Sequence, residues 1–391
     1  MKTRTAVMPM AMPAAMLAGL LLAAPAGLFA QEAPLPNGSI NVNLPPNSPV
    51  SLIKVSSDQS RATAKGAAMV LDLDMVLTLR NASPSRIRGI TLRVISQEAF
   101  LGGKGSVTKV SLNVGQGEVF PVDIHMQLVR PTQMASGPLV QVDLDGVLFQ
   151  DLSFYGMDKL NSRRYLTACE TEAQRDREHF KQVLAKYGKD GLAKEMLASL
   201  ARQSELPALD VRVGRTGPSV AGAALPSEHE AQFAFLQFPD SPVEPLDGSV
   251  RISGNQARAP QLDVRHKSSK PVKYVEFGWV VSDAAGRQYM AGSLPSSEST
   301  LYLPAGSQAS VRQDSELRFS ANGQPVNIRN MTGFIDQVEF ADGKVWVPSR
   351  QSLDNPLLQK VLAPSAEEQR LSQKIYLRKG IDALVEELKK F

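Results

Sequence analysis

The stretch VLDLDMVLTLR, residues 70–80, places an apolar residue at every odd position from 71 to 79, with mostly polar residues between them. Successive side chains in a β-strand point to opposite faces, so this pattern predicts a strand with one buried and one solvent-exposed face. Similar runs lie at 90–94, 120–128 and 140–144. Short strands with turn signals about every ten residues predict an antiparallel β-sandwich of the immunoglobulin-like (Ig-like) class.

The spacing of apolar and turn residues in this region recurs in the second half of the chain. At one offset, Ile87, Ile90, Leu92 and Val94 match Val272, Val275, Phe277 and Trp279. At a second offset, six residues longer, Gly115, Phe120, Leu128, Phe149, Asp151, Phe154 and Tyr155 match Gly306, Val311, Phe319, Phe340, Asp342, Val345 and Trp346. The spacing of apolar and turn residues recurs, but no set of reactive groups recurs with it, which indicates a repeated fold.

We therefore predict a mainly β protein with helical additions. Two tandem antiparallel Ig-like β-sandwiches flank a helical hairpin, and a C-terminal amphipathic helix follows. The predicted segments are a signal peptide at 1–30, an extended lead-in at 31–49, the first sandwich at 50–157, the hairpin at 158–204, a connector at 205–229, the second sandwich at 230–349 and the helical tail at 350–391.

The first thirty residues have the features of a Sec-type signal peptide. Lys2 and Arg4 precede an apolar stretch. A small-residue cleavage site at Ala30 then precedes polar residues. No lipobox cysteine is present, so we expect a periplasmic or extracellular protein; an uncleaved N-terminal anchor is the alternative. Without residues 1–30, the chain has 41 Lys plus Arg against 39 Asp plus Glu, a net charge of about +2. That balance argues against nucleic-acid binding.

The helical segments show apolar periodicity. In the hairpin, Gly188 is a candidate C-cap between two arms. In the tail, Ser365 and Glu368 form a capping-box motif, and Gly380 is a candidate break. The tail carries an apolar stripe of Leu371, Ile375, Leu384, Val385 and Leu388. We expect this stripe to dock on its own protein; a partner helix or a membrane surface is the alternative.

Few residues are candidates for a catalytic, metal-binding or phosphate-binding role. Cys169 is the single cysteine, in a sequence typical of the apolar side of a helix, and we expect a packed, inert thiol. The histidines lack metal-ligand spacing and are expected to be solvated or hydrogen-bonded. These are His125, His179, His229 and His266. The glycine-rich 102–106 lacks phosphate-loop spacing and predicts a hairpin loop.

Two Asp-x-Asp pairs, Asp72/Asp74 and Asp143/Asp145, each lie on one face of a predicted strand. Two carboxylates so placed could contribute to a calcium site. We expect them instead to be solvent-facing acids that keep the sheet surfaces soluble. A carboxylate-pair glycosidase is disfavoured because only 2 Trp occur in 391 residues, whereas glycan-active sites are rich in aromatic residues.

The layout resembles uncharacterised exported bacterial proteins with tandem Ig-like domains. The residues that carry the resemblance are the turns at 81–83 and 267–269, with Gly115 and Gly306. The resemblance implies adhesion, scaffolding or ligand binding in the cell envelope.

We expect a non-enzymatic protein without a cofactor or bound metal, which recognises a protein or surface polymer through sandwich edges or loops. The alternatives are a hydrolase with a site in the inter-domain cleft, using His229 or Cys169, and a calcium-stabilised surface protein.

Overall fold

The computed structural model describes residues 32–36, 38–98, 102–132, 138–215, 228–295, 303–312 and 315–391. The protein is mainly β, with helices between and after two β units. The predicted signal peptide at 1–30 and residues 216–227 of the predicted connector lie outside the described residues. Within the described ranges, no helix is long and apolar enough to cross a membrane.

The N-terminal β unit contains two sheets. Its strands are β1 (Glu32–Pro34), β2 (Ile40–Asn43), β3 (Val50–Ser56), β4 (Arg61–Lys65), β5 (Ala68–Asn81), β6 (Ile87–Ile95), β7 (Lys104–Lys109), β8 (Val119–Pro131), β9 (Val140–Phe149) and β10 (Phe154–Gly156). Sheet 1 has β5 at its centre, with β3 and β4 on one side, β8 on the other and β1 beside β4. Sheet 2 has the order β10–β9–β6–β7, with β2 also beside β9.

The stretch 70–80 lies within β5, and its alternation matches the observed burial. The apolar residues at odd positions 71 to 79 are buried in a core shared by sheets 1 and 2. Asp72 and Asp74 point the other way and are exposed. Burial of this apolar row fixes the register of β5, since a slip by one residue would expose all of it.

The C-terminal β unit also contains two sheets. Its strands are β11 (Asp210–Arg215), β12 (His229–Gln232), β13 (Ala234–Phe235), β14 (Val243–Ser253), β15 (Gln256–His266), β16 (Val272–Asp283), β17 (Gln288–Pro295), β18 (Gln308–Arg312), β19 (Ser315–Ala321), β20 (Gln324–Pro325), β21 (Ile328–Phe340) and β22 (Val345–Trp346). Sheet 3 has the order β11–β19–β15–β14–β12, with β18 beside β15 and β20 beside β19; sheet 4 has the order β13–β21–β16–β17, with β22 beside β21. Trp279 is buried in their common core.

Sheets 2 and 4 have the same connectivity, and both are mixed. The expectation of purely antiparallel sheets was wrong, because β2 runs parallel to β9 and β13 runs parallel to β21. Side-chain alternation is the same in both strand directions, so the sequence pattern could not reveal this. The predicted lead-in at 31–49 contributes β1 and β2, and the predicted connector at 205–229 contributes β11 and the first residue of β12, so neither is only a linker.

Two of the residue matches at the longer offset are confirmed by equivalent strand pairings in the two β units. Phe149 pairs with Ile87, as Phe340 pairs with Val272. Tyr155 of β10 likewise corresponds to Trp346 of β22, because each pairs with the residue eight positions earlier in the chain, Val147 and Val338 respectively.

The match of Gly115 with Gly306 was wrong by two residues. Gly117 and Gly306 both have left-handed φ, 76° and 73°, in the turn before an edge strand. After these turns, Val122 pairs with Leu77 as Val311 pairs with Leu262. A left-handed turn position favours glycine, so the conformation identifies the equivalent residue where sequence spacing did not.

Helix α1 (Ser162–Glu205) forms the predicted hairpin. Gly188 has non-helical angles, φ 69° and ψ −166°, and divides α1 into two arms. Across the turn, Nε2 of His179 lies 3.4 Å from Oε1 of Glu195. Sixteen residues of continuous helix would span about 24 Å, so the arms must fold back on each other.

The tail contains several helical segments and a second hairpin. They are α2 (Arg350–Leu353), α3 (Pro356–Val361), α4 (Ala366–Gln369), a π-helix (Arg370–Tyr376) and α5 (Leu377–Lys389). Ser365 caps α4 by accepting the amide hydrogen of Glu368, as predicted. Gly380 is non-helical, which confirms the predicted break. The two arms on either side of it are joined by a 2.7 Å ion pair between Arg370 and Glu387.

The apolar stripe of the tail packs against α1, which confirms docking on its own protein. Leu371, Ile375, Leu384, Val385 and Leu388 share a buried cluster with Phe180, Leu192 and Met196. The two hairpins therefore form one helical layer.

The first arm of α1 covers the outer face of sheet 2. Thr91 and Arg93 are the polar residues of the alternating run 90–94, yet both are buried. Gly89 permits the close approach of the helix, because a Cβ there would lie 2.7 Å from Cδ2 of Leu166. Helix packing on this face explains why β6 is buried on both sides.

Candidate functional site

The N-terminus of α1 is anchored to sheet 2 by Asp145. Its carboxylate accepts the amide hydrogens of Lys159, at 3.0 Å, and Leu160, at 3.2 Å, and the hydroxyl hydrogen of Ser162. Asp145 is buried, so the solvent-facing interpretation was wrong for this residue. Asp143, half-buried, lies 3.8 Å from the Arg93 guanidinium.

The other Asp-x-Asp pair is exposed, as expected. Asp72 accepts a hydrogen bond from Gln127 at 2.7 Å, and Asp74 lies 3.0 Å from Nδ1 of His125. In the part of the chain that the structure describes, no group of three or more His, Cys, Asp or Glu side chains is placed to hold a metal ion.

A cleft of about 390 Å³, here called the binding cleft, lies where the outer faces of sheets 2 and 4 meet the start of α1. Both β units and the helix contribute side chains with hydroxyl, amide or aromatic groups. The polar and aromatic lining residues are Thr91, Ser106 and Thr108 from sheet 2, Asn161, Ser162, Arg164 and Tyr165 from the start of α1, and Tyr274, Glu276 and Gln337 from sheet 4.

The sheet 2 wall presents a pair of hydroxyl groups. Thr91 and Thr108 are directly opposite in the β6–β7 ladder, and their Oγ1 atoms lie 3.0 Å apart. Ser106 is two residues from Thr108 along β7, so its side chain lies on the same face of the strand. This wall can both donate and accept hydrogen bonds.

The sheet 4 wall is held by a stacked arginine. The Arg164 guanidinium lies 3.6 Å from the centre of the Tyr274 ring. The Tyr274 hydroxyl donates to Oε2 of Glu276 at 2.9 Å. Burial, with the nearby Glu276 charge, raises the pKa of Tyr274, so its hydroxyl stays protonated at neutral pH. The charged groups of this wall are therefore engaged with neighbours.

The two residues proposed for a hydrolase do not line the binding cleft. Burial, together with the charge of Glu172, raises the pKa of the Cys169 thiol to about 12. A thiol with so high a pKa is almost wholly protonated and is a poor nucleophile at neutral pH. His229 is exposed on β12.

The remaining histidines have structural neighbours. His179 lies against Glu195, and His125 lies against Asp74 on the surface. His266 is buried, with Nδ1 2.8 Å from the Pro304 carbonyl oxygen. All three agree with the prediction of solvated or hydrogen-bonded rings.

A second recess, here called the junction cavity, has a volume of about 100 Å³ and lies between α1, β21 and the tail. Four acidic residues line it, Glu172, Asp336, Asp354 and Glu368. Of these, Glu172 of α1 and Asp336 of β21 have no side-chain hydrogen bond or ion pair among the described residues. Burial, with the charges of Glu172 and Glu276, raises the pKa of Asp336 to about 7. Burial also raises the pKa of Glu172.

A buried ion cluster joins α1, the tail and sheet 2. Arg177 donates to Glu170 at 2.5 Å and to Glu367 at 3.3 Å. Arg370 also donates hydrogen bonds to the Glu367 carboxylate, at 2.8 and 3.0 Å. Arg88 of β6 lies 3.7 Å from Glu170. Because buried charges are costly unless paired, this cluster specifies how the helices meet the N-terminal unit.

A second part of the cluster surrounds Asp176. This buried carboxylate accepts hydrogen bonds from Arg175 at 2.9 Å and from the Ser365 hydroxyl at 2.5 Å. Arg350 lies 3.5 Å from Asp176 and 2.6 Å from Glu368. The tail is therefore held to α1 by charge pairs as well as by its apolar stripe.

Sequence reasoning missed the residues that define both recesses. Tyr165 was assigned to an apolar helix side, and Arg164, Glu172 and Asp336 were not singled out. One signal was present: residues 146–149 form a continuous apolar run, which is typical of a strand buried on both faces. That run could have indicated that a helix covers sheet 2.

Comparison with known proteins does not assign a family. No protein-family model and no curated protein matches the sequence. Solved structures with partial similarity include a selenomethionine-labelled β-glucosidase from Kluyveromyces marxianus, at 9% identity and a TM-score of 0.15, and its glucose complex, at 10% identity and 0.15. Each match covers 70% of this chain and 45% of the glucosidase, so the chain spans under half of that protein. Similarity this low carries no argument about fold or activity.

Proposed function

We propose that this protein is an exported, non-enzymatic binding or scaffolding protein of the cell envelope, acting in the periplasm or outside the cell. In this proposal, the β units are tandem Ig-like sandwiches, and the binding cleft receives a partner protein or surface polymer. The observation that carries the proposal is that both β units and α1 contribute hydrogen-bonding side chains to one recess.

The rigid support around the cleft favours recognition. Asp145 fixes the start of α1 on sheet 2, and Arg164 stacks on Tyr274 of sheet 4. The same helix also carries Glu170 and Arg177 of the ion cluster. A preformed site loses less conformational entropy when it binds, which favours affinity.

The edge of sheet 2 offers a second recognition element. Within the described residues, β7 pairs with β6 alone, and Ser106 and Thr108 of this strand line the cleft. An edge strand has unpaired backbone groups that can add a strand from a partner. A partner in the cleft would therefore lie beside this edge.

Site-specific photocross-linking in the native cell envelope tests this proposal. A photoreactive amino acid at position 165 should give adducts with an envelope component. The matched control is position 187, because Tyr187 is also an exposed tyrosine on α1, 60% against 55%, but does not line the cleft. Equal labelling from both positions, or none from position 165, would contradict a binding role for the cleft.

A second candidate function is hydrolysis at the junction cavity. The specific observation is Asp336, a carboxyl group with a pKa of about 7 that faces a recess beside a second acid, Glu172. A general acid works best when its pKa is near the working pH. In this alternative, Asp336 takes the role that the sequence suggested for His229 or Cys169.

Hydrolysis of chromogenic esters, glycosides and peptides by the wild type and by Asp336→Asn tests this candidate. The candidate requires turnover by the wild type that falls at least a hundredfold in the variant. Equal rates at the level of the uncatalysed reaction would remove it.

A further inference from the structure

We infer that the binding cleft takes a neutral, hydroxyl-rich glycan segment, with Tyr165 as its stacking surface. This inference rests on the proposed function and names the surface polymer as an uncharged polysaccharide.

The charges of the cleft are already engaged. Arg164 stacks on Tyr274 and lies 3.7 Å from Glu339, which also receives Lys273 at 2.7 Å. Glu276 accepts the Tyr274 hydroxyl. A charged ligand would have to displace one of these pairs, whereas a neutral ligand would not.

The available groups on the sheet 2 wall are hydroxyls. Ser106 is exposed and Thr108 is partly exposed, and their hydroxyls can donate and accept hydrogen bonds as sugar hydroxyls do, whereas Thr91 is buried and bonded to Thr108. The amides of Asn161 and Gln337 add directed donors and acceptors from the helix and from sheet 4. Groups from three elements can therefore surround a sugar ring.

Tyr165 supplies the apolar surface that one face of a sugar ring requires. Its side chain lines the cleft and is 55% exposed, although it sits on a helix whose neighbours Leu166 and Ala168 are buried. Cys169 lies one helical turn further along the same side of α1. An aromatic ring with a polar tip can contact C–H groups with its face while its hydroxyl remains hydrogen-bonded.

The size of the cleft limits the segment to a few sugars. Its volume of about 390 Å³ falls in the range of roughly 300–1,000 Å³ typical of small-ligand sites. An open recess of this size can bind a short portion of a chain that continues on both sides.

Titration calorimetry with defined oligosaccharides tests the inference. The probes are neutral tetrasaccharides of glucose and of N-acetylglucosamine, with a sulfated tetrasaccharide as the charged comparison. At least one neutral probe should bind in the millimolar range or better, with an affinity that stays within twofold between 50 and 500 mM salt, because no ion pair forms.

Three variants locate the binding. Tyr165→Ala should weaken binding of the neutral probe about tenfold, the size expected for losing one aromatic contact. Thr108→Val, which keeps the shape but removes the hydroxyl, should weaken it by about fivefold. Tyr187→Ala, the control on the same helix, should leave the affinity unchanged.

The inference is overturned if neither neutral probe binds, if only the sulfated probe binds, or if Tyr165→Ala has no effect. Photocross-linking at position 165 separates this failure from failure of the proposed function. Adducts with a protein, without binding of the neutral probes, would reject the glycan and leave a binding role for the cleft. Absence of adducts together with absence of glycan binding would reject both.

Discussion

Asn81 and His266 occupy the same place in the two β units. Asn81 ends β5 and donates from its amide nitrogen to the carbonyl oxygens of Ser85 and Val114, both at 3.0 Å. His266 ends β15, and its Nδ1 lies 2.8 Å from the Pro304 carbonyl oxygen. Both side chains are buried and tie a strand end to the loop that leads into the next edge strand. The two β units therefore make the same kind of contact between a strand end and a loop with different residues.

Replacing Asn81 by Ala should lower the free energy of unfolding by about 2–3 kcal/mol, because the buried carbonyl of Val114 loses its side-chain donor. Urea denaturation would measure the change. The matched control is Asn43→Ala, since the Asn43 side chain makes an exposed bond of 3.4 Å to Asp143. Equal effects of the two substitutions would contradict this interpretation.

Asp336 should make the protein less stable as the pH rises from about 4 to about 7. Its carboxyl group titrates near pH 3.9 in an unfolded chain, whereas burial and the nearby Glu172 and Glu276 charges raise its folded pKa to about 7. Between these values the folded state holds a proton that the unfolded state has lost, so stability falls with rising pH. At ~1.4 kcal/mol per pH unit over about three units, the loss is up to about 4 kcal/mol.

Asp336→Asn removes this titration and should unfold at a higher urea concentration than the wild type at pH 8, while the two differ little at pH 4. Asp342→Asn is the control, because Lys270 lowers the pKa of that exposed carboxyl group instead. Parallel pH profiles for the wild type and Asp336→Asn would refute the prediction.

Breaking the ion cluster should be strongly destabilising. Arg177→Met leaves Glu170 and Glu367 buried without their shared guanidinium, and loss of one partner of a buried pair costs about 3–5 kcal/mol. Thermal unfolding would measure the loss. Lys390→Met removes the exposed partner of Glu387 and should cost under about 1 kcal/mol. A small effect at Arg177 would show that the cluster contributes little.

Cys169 should resist alkylation in the folded protein. With a pKa of about 12, set mainly by burial, roughly one thiol in ten thousand is ionised at pH 8. Iodoacetamide should therefore modify Cys169 slowly until urea unfolds the chain, after which the rate should rise by at least a hundredfold. The comparison is Cys169→Ser with a cysteine placed at the exposed Ser204, which should react quickly without urea. Fast labelling of folded wild type would disprove this expectation.

The strands could be predicted because their pattern is local. The alternation at 70–80 gave the buried face of β5, and the tail's stripe from Leu371 to Leu388 gave its docking face. Asp145 was misjudged because its partners begin fourteen residues later, in a segment whose approach to sheet 2 depends on the fold.

The candidate site could not be predicted for a similar reason. Arg164 and Tyr274 are more than a hundred residues apart, and neither β unit alone forms the binding cleft. Glu172 and Asp336 likewise line one cavity although they are more than 150 residues apart in the chain. Such convergence has no counterpart in the spacing of neighbouring residues.

Asp145 fixes the helix that separates sheets 2 and 4, and this has a consequence for association kinetics. The aperture between the sheets is set before any encounter, because Asp145 holds the residues that lead into α1 on sheet 2 and Arg164 of α1 stacks on Tyr274 of sheet 4. Capture then requires no domain closure, so the on-rate should follow diffusion and orientation alone, and small-angle scattering profiles with and without ligand should superimpose.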